Sequence, residues 1–165
     1  MAFEINYLIG NLDTYFRQDE INVLLFYAKD INLNLTKKMN YLLDKKISYM
    51  IHHNISTTGL DSNNKMHAYF NLSDIQLVIQ FILTQLIPAM QNENTDMDVK
   101  YGGSISNLIS QVNNYNSNDS SFILNINYDY VPVEMAYYID MAIEMKELLQ
   151  KSIDLNTPIL VSYTD

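Results

Sequence analysis

The chain has 165 residues, 48% of them hydrophobic, which suits one folded domain with a substantial core. Nineteen acidic residues face ten basic ones, giving a net charge of −9, and Arg17 is the only arginine. Because clustered lysines and arginines grip phosphate backbones, this balance disfavours broad nucleic-acid binding. The absence of cysteine excludes disulfides, thiolate catalysis and cysteine-type zinc sites.

The N-terminus and the residue usage indicate where the protein comes from and where it acts. The first ten residues contain no basic region followed by an apolar run, so no signal peptide is expected and a cytoplasmic location is predicted. The chain contains twenty asparagines, and lysine greatly outnumbers arginine. This usage is typical of an AT-rich coding sequence and indicates a low-GC bacterium or one of its mobile elements, such as a phage.

Helical patterns dominate the first fifty residues. Residues 3–16 predict an amphipathic helix because their apolar side chains recur at helical spacing. Those side chains are Ile5, Leu8, Ile9, Leu12, Tyr15 and Phe16. Residues 20–29 are apolar and fit a second short helix that Asp19 could cap. Thr36 fits the N-cap of a third helix, whose apolar positions extend to Met50.

The middle of the chain contains its most apolar stretch. Residues 66–72 predict a strand, after which Ser73 and Gln76 match a capping box for a helix over residues 74–90. The sixteen residues 75–90 rise about 24 Å as a helix, less than the roughly 30 Å of a bilayer core. A membrane span is therefore disfavoured. A buried central helix is predicted, and self-association of the protein through residues 74–90 is compatible with it.

The last third alternates and then changes period. A helix is predicted after a cap at Ser104 or Ser106. Residues 121–130 predict a strand because apolar and polar side chains alternate along them. Its apolar side would hold Leu124, Ile126, Tyr128 and Tyr130, and its polar side Asn125, Asn127 and Asp129. After Pro132 the period becomes helical to about residue 153, and residues 157–163 predict a final strand.

These elements predict an α+β fold in which a small sheet is covered by several amphipathic helices, in a single compact domain over residues 1–165. A subdivision at residues 72/73 into a helical and hairpin half and a helix–strand–helix half is compatible with this pattern. The alternative is a mainly α protein with a winged-helix-like N-terminal half.

No catalytic motif occurs in the sequence. His52 and His53 are neighbours that would face opposite ways on a strand, and His67 alone does not complete a metal site with either. The stretch Tyr101–Ser104 contains two glycines before a helix but lacks the pattern of a phosphate-binding loop. We therefore predict a protein that is not an enzyme, with no metal, no cofactor and no catalytic residues.

Two charged surfaces suggest two kinds of partner. Asp140, Glu144 and Glu147 recur on one face of the last helix. With Asp129, Glu134 and Tyr137 they form an acidic, tyrosine-bearing surface, and tyrosine often anchors protein interfaces. The leading prediction is a small protein-binding module, an inhibitor, immunity factor or adaptor, that engages a protein partner, plausibly a basic one. The alternative is a winged-helix-like DNA-binding regulator that uses Lys37, Lys38, Lys45 and Lys46.

Overall fold

A four-stranded antiparallel sheet with strand order β2-β1-β4-β3 lies beside the helices. The computed structural model describes residues 4–44, 66–119 and 122–164. The strands in these ranges are β1 (Glu4–Ile9), β2 (Leu12–Arg17), β3 (Met66–His67) and β4 (Leu160–Thr164). The helices are α1 (Gln18–Ala28), α2 (Leu33–Leu43), α3 (Leu72–Phe81), α4 (Ile87–Asn92), α5 (Met97–Lys100), α6 (Ile105–Asn113) and α7 (Met135–Leu155). The predicted α+β class is confirmed.

The N-terminal helix prediction is wrong, because residues 4–17 form the β1–β2 hairpin. Gly10 and Asn11 make its two-residue turn, and Gly10 has a φ of +56°, the left-handed value that such hairpin turns need at their first central position. Ile5, Tyr7 and Ile9 alternate along β1 and are all buried. The mainly α alternative therefore fails in its N-terminal half: the helix of Lys37 and Lys38 follows a hairpin and only one helix.

Helices α1 and α2 form close to their predicted places but with different caps. Helix α1 starts at Gln18 directly after β2, so Asp19 lies inside its first turn. Asn32 caps α2, its side chain accepting a hydrogen bond from the Leu35 backbone N–H at 3.0 Å. Thr36 is instead inside α2 and donates its hydroxyl to the Asn32 carbonyl at 2.7 Å. Residues 45–65, which include the end of the third predicted helix, lie outside the described ranges.

The predicted helix over residues 74–90 is confirmed as a continuous run from Leu72 to Asn92, although its cap is Asn71 rather than Ser73. Between α3 and α4 the residues Ile82–Leu86 form a π-helical segment. Pro88 explains this widening, since its ring would clash with the carbonyl of Thr84 in a regular α-helix.

This long helix is the one helix in the described ranges that is apolar and long enough, at 21 residues, to cross a membrane, with 33% of its most apolar stretch buried. Core helices of globular proteins share this length and composition. Its outward side mixes Gln76, Gln80 and Gln85 with two leucines, Leu77 and Leu83, each nearly half exposed. The predicted self-association would use that side.

Residues 122–131 are extended, but they pair with no strand of the described ranges, so the predicted strand is wrong. Side chains satisfy their backbone instead. The Asp19 carboxylate accepts from the N–H groups of Asn127 and Tyr128 at 3.1 Å each, and the Asn22 amide donates to the Asn125 carbonyl at 2.8 Å. The Asn113 amide makes two bonds to the backbone of Ile126, at 2.7 and 3.1 Å. We call these three side chains the backbone clamp.

Buried and exposed side chains alternate along this segment as predicted, although no strand forms. Phe122, Leu124 and Ile126 are buried, whereas Asn125, Asn127 and Asp129 are exposed. Tyr130 departs from the prediction and is 60% exposed, because the chain bends at residues 128–129. One hydrophobic cluster then joins this segment to both halves of the chain and includes Ile5, Leu24, Val78, Leu124 and Tyr138.

We expect Asp19→Ala to lower the free energy of unfolding by about 1–3 kcal/mol, because the two backbone N–H groups that it binds would lose their acceptor. The matched control is Asn125→Ala, whose exposed side chain lies on the same segment and should change stability by less than about 0.5 kcal/mol. Urea denaturation at neutral pH measures both values. Equal effects of the two substitutions would contradict the clamp.

The exposed leucines of the long helix give a second prediction. If residues 74–90 mediate self-association, light scattering should give a dimer for the wild type and a monomer for the double variant Leu77→Gln/Leu83→Gln. Val99→Gln, at a 58% exposed position on α5, is the control and should leave the mass unchanged. A wild type that stays monomeric at every concentration tested would refute this prediction.

Candidate functional site

A cleft of about 320 Å³ opens between strand β2 and helix α7. Its walls are formed by Tyr15, Phe16, Tyr137, Asp140, Met141 and Glu144. We call it the acidic cleft, because these walls carry two carboxylates and no cationic side chain. Tyr137, Asp140 and Glu144 were all predicted from the sequence to form a partner-binding surface, and the fold brings them together with two aromatic residues of the hairpin.

Two contacts, one with α1 and one with the hairpin turn, position α7 at the acidic cleft. At one end the Tyr137 hydroxyl donates to the buried carboxylate of Glu20 at 2.5 Å. At the other end the hairpin turn packs so tightly that a Cβ on Gly10 would lie 2.9 Å from a methyl carbon of Leu155. Helix α7 therefore lies along the hairpin, with its first turns near the end of β2 and its last turns near the β1–β2 turn.

Glu144 and Tyr137, two ionisable groups of the acidic cleft, both disfavour the charged form. Partial burial raises the pKa of Glu144, and the neighbouring charges of Glu147 and Asp140 raise it further. Burial also raises the pKa of Tyr137, and its hydrogen bond to Glu20 acts in the same direction. Tyr137 is therefore a neutral phenol at physiological pH. Glu144 pays an electrostatic cost when it ionises, and a cation placed in the cleft would remove that cost.

The other three predicted residues do not form walls of the acidic cleft. Glu147 is exposed on α7, one turn beyond Glu144. Glu134 is the N-cap residue of α7, and its carboxylate accepts from the Val133 N–H at 3.3 Å. Asp129 is exposed at the bend at residues 128–129. Glu134 and Glu147 thus lie on the helix that supplies Tyr137, Asp140 and Glu144, and Asp129 lies on another segment.

Four residues of this site were not predicted from the sequence: Tyr15, Phe16, Met141 and Glu20. The first two were assigned to the apolar face of a helix that does not form. The signal that could have placed them is the Gly10–Asn11 pair between two runs rich in β-formers, a dipeptide typical of two-residue hairpins. Glu20 had no comparable signal, because its role arises from contact with Tyr137, 117 residues away in the chain.

The lysines of the DNA-binding alternative are held in ion pairs where the structure describes them. The Lys37 ammonium lies 3.3 Å from Asp119, and that of Lys38 lies 3.2 Å from Asp74. Lys45 and Lys46 lie outside the described ranges. DNA binding stays a prediction, and the two described lysines give it no additional support, because each has a carboxylate partner within the chain.

The remaining sequence candidates have structural places. Gly102 and Gly103, with φ of +109° and +88°, form the turn between α5 and α6, and Ser104 caps α6 by accepting from the Asn107 N–H at 3.1 Å. The stretch Tyr101–Ser104 therefore forms a turn. His67 is exposed on β3, and His52 and His53 lie outside the described ranges. In the part of the chain that is described, no three His, Asp or Glu side chains group as metal ligands.

Comparison with protein-family models, with curated proteins and with solved structures finds no match to this chain. The proposed function therefore rests on the geometry of the acidic cleft.

The raised pKa of Glu144 predicts a pH-dependent effect of Glu144→Gln. An acid whose pKa is higher in the folded state than in the unfolded state loses stability as pH rises through the interval between the two values. The interval begins at the ordinary value of about 4.5. We therefore expect Glu144→Gln to raise the Tm at pH 7 and to leave it nearly unchanged at about pH 3, where the carboxyl is protonated in both states.

Thermal denaturation followed by circular dichroism at the two pH values tests this expectation. The measurement at low pH serves as the control for packing changes caused by the amide. A Tm increase of equal size at both pH values, or a decrease at pH 7, would contradict the electrostatic origin.

Proposed function

We propose that this protein is a small, non-enzymatic, cytoplasmic binding module that captures a basic protein partner through the acidic cleft. It would serve as an inhibitor, immunity factor or adaptor in a low-GC bacterium or one of its mobile elements. The observation that supports the proposal is the meeting of Tyr137, Asp140 and Glu144 with Tyr15 in one cleft whose walls contain no cation.

The chemistry of the acidic cleft suits a lysine or arginine side chain. The carboxylates of Asp140 and Glu144 lie one helical turn apart and repel each other, so a single cation between them would interact favourably with both. Tyr15 is 55% exposed and Tyr137 38% exposed, which leaves aromatic surface for the aliphatic part of such a side chain. Aromatic anchors beside charged groups are the composition typical of energetically important interface positions.

The net charge of −9 supports a basic partner in a second way. Long-range attraction accelerates the encounter of oppositely charged proteins, and this acceleration falls as salt is added. Glu134 and Glu147 lie on the helix that bears Asp140 and Glu144 and add to its negative charge. Capture by this surface should therefore weaken with ionic strength more steeply than a purely apolar interface would.

A charge-reversal pair tests the proposal. The wild type is used as bait in a lysate of a low-GC bacterium, retained proteins are identified by mass spectrometry, and the Kd of the purified partner is measured by calorimetry. We expect Glu144→Lys to weaken this Kd by about tenfold or more, because it places a cation where the partner's cation would bind. Tyr15→Ala should weaken it as well.

The matched control is Asp154→Lys, which makes the same change at an exposed position near the end of the same helix, outside the walls of the acidic cleft. It should leave the Kd within about twofold, apart from the general effect of net charge. Equal affinities of wild type and Glu144→Lys, with both proteins folded by circular dichroism, would overturn the proposed surface.

A further inference from the structure

Strand β2 leaves one backbone edge open beside the acidic cleft. It is the outermost strand in the order β2-β1-β4-β3, so β1 is its one partner among the described strands. The six pairs of the hairpin run from Ile9–Leu12 to Glu4–Arg17 without a bulge. Proteins commonly protect such an edge with lysine, proline or a bulge, and β2 has none of these. Its outer edge can therefore pair with a further strand.

The hairpin register shows which backbone groups face outward. The pair Ile9–Leu12 closes the two-residue turn with a hydrogen bond, and hydrogen-bonded pairs alternate with non-hydrogen-bonded ones from there. Thr14 therefore directs its N–H and C=O toward β1, whereas its neighbours Asp13 and Tyr15 direct theirs away from the sheet. No backbone group of another described element is hydrogen-bonded to those outward groups.

The outer edge of β2 and helix α7 form the two sides of the acidic cleft. Helix α7 covers the sheet face that carries Phe16, because Ile5, the cross-strand partner of Phe16, lines a small cavity together with Met145 of α7. Tyr15 is the next residue along β2 and belongs to the opposite face. A strand added beside β2 would alternate in the same way. Its residue opposite Tyr15 would point to the face of Tyr15, and the two neighbours of that residue would point toward α7.

The carboxylates of α7 match the spacing of those two neighbours. Asp140 and Glu144 are separated by about 6 Å of rise along the helix, and alternate residues of a strand are about 6.6–6.8 Å apart. Both side chains are exposed, and neither forms an ion pair within the described part of the chain. The one cation of β2, Arg17, is not a wall of the cleft. Two basic side chains at alternate positions of an added strand would therefore contact both carboxylates.

Charge decides between the two occupants that this open edge could take. Pairing of β2 with the β2 of a second copy would bring two acidic clefts together, and each copy carries a net charge of −9. Like charges oppose that association, whereas the same field attracts a basic segment. A basic segment of a protein partner is therefore the occupant that the edge favours.

We propose that the partner enters the acidic cleft as an extended basic segment that adds to β2 as a further antiparallel strand. Addition of a strand to an exposed sheet edge is an established mode of peptide recognition, and antiparallel pairs are the commoner kind. The residue opposite Tyr15 would exchange two backbone hydrogen bonds with it, and basic side chains on either side would contact Asp140 and Glu144. The proposal rests on the proposed function and specifies the partner's segment as basic–any–basic in extended conformation.

Three peptides test the backbone pairing. The parent is acetyl-Thr-Lys-Val-Lys-Thr-amide, and the other two carry a single N-methyl group, on the valine or on the second lysine. The valine N–H would be donated to the Tyr15 carbonyl, whereas the lysine N–H groups would point away from β2. We expect methylation of the valine to weaken the Kd, measured by NMR titration of the full chain, by about tenfold. Methylation of the lysine is the matched control and should change the Kd by less than about threefold.

Hydrogen exchange locates the pairing on β2. Saturation with the parent peptide should slow exchange of the Tyr15 amide by about tenfold, while the Thr14 amide, already bonded to β1, should change little. Absence of saturable binding by the parent, equal affinity of the two methylated peptides, or an unchanged Tyr15 amide would overturn the proposal. Protection of Tyr15 in the free protein that increases with protein concentration would assign the edge to a second copy and would overturn it as well.

Glu144→Lys, with Asp154→Lys as the control for net charge, separates this proposal from the proposed function. If Glu144→Lys weakens binding of the parent while the two methylated peptides bind equally, the cleft captures basic partners without strand pairing, and only the strand addition fails. If binding depends on the valine N–H but is unchanged by Glu144→Lys, the proposed acidic surface fails and the pairing with β2 stands.

Discussion

The backbone clamp is the interaction on which the rest of the structure depends. Residues 122–131 carry four buried apolar side chains into the core, but no described strand pairs with them. Buried backbone groups must be hydrogen-bonded, and here Asp19, Asn22 and Asn113 do what a neighbouring strand would otherwise do. Because these side chains come from α1 and α6, the clamp joins two helices far apart in sequence to the segment that leads into α7.

Helix α1 links the clamp to the acidic cleft. Its first turn supplies Asp19 to the clamp and Glu20 to the hydroxyl of Tyr137, which fixes the start of α7 at the acidic cleft. Ten of the eleven residues of α1 are buried, including two carboxylates, so the helix cannot rotate without breaking both contacts. The clamp and the acidic cleft therefore share one rigid support.

The long helices were predicted correctly from the sequence because their apolar period repeats many times. Elements with short patterns were predicted less reliably. The helices over residues 72–92 and 135–155 were predicted because their apolar period is long, although Asn71 and not the predicted Ser73 caps the first of them. The hairpin was missed because Ile5, Leu8, Ile9 and Leu12 recur at helical spacing while Ile5, Tyr7 and Ile9 alternate as in a strand, and only the Gly10–Asn11 turn distinguishes the two structures. In the acidic cleft, residues on one helix face could be grouped in advance, whereas the contribution of β2 and of Glu20 depended on tertiary contacts.

The clamp also bears on how this chain avoids aggregation. The stretch from Phe122 to Tyr128 is uncharged, rich in β-forming side chains and free of proline, which is the composition of segments that assemble into cross-β fibrils. From residue 125 to residue 128 its backbone is hydrogen-bonded by Asp19, Asn22 and Asn113, which reduces the edge that another chain could pair with. Local unfolding of α1 would release the backbone groups bonded by Asp19 and Asn22 and leave those bonded by Asn113. The side chains of the backbone clamp thus also limit the pairing of this segment with a second molecule.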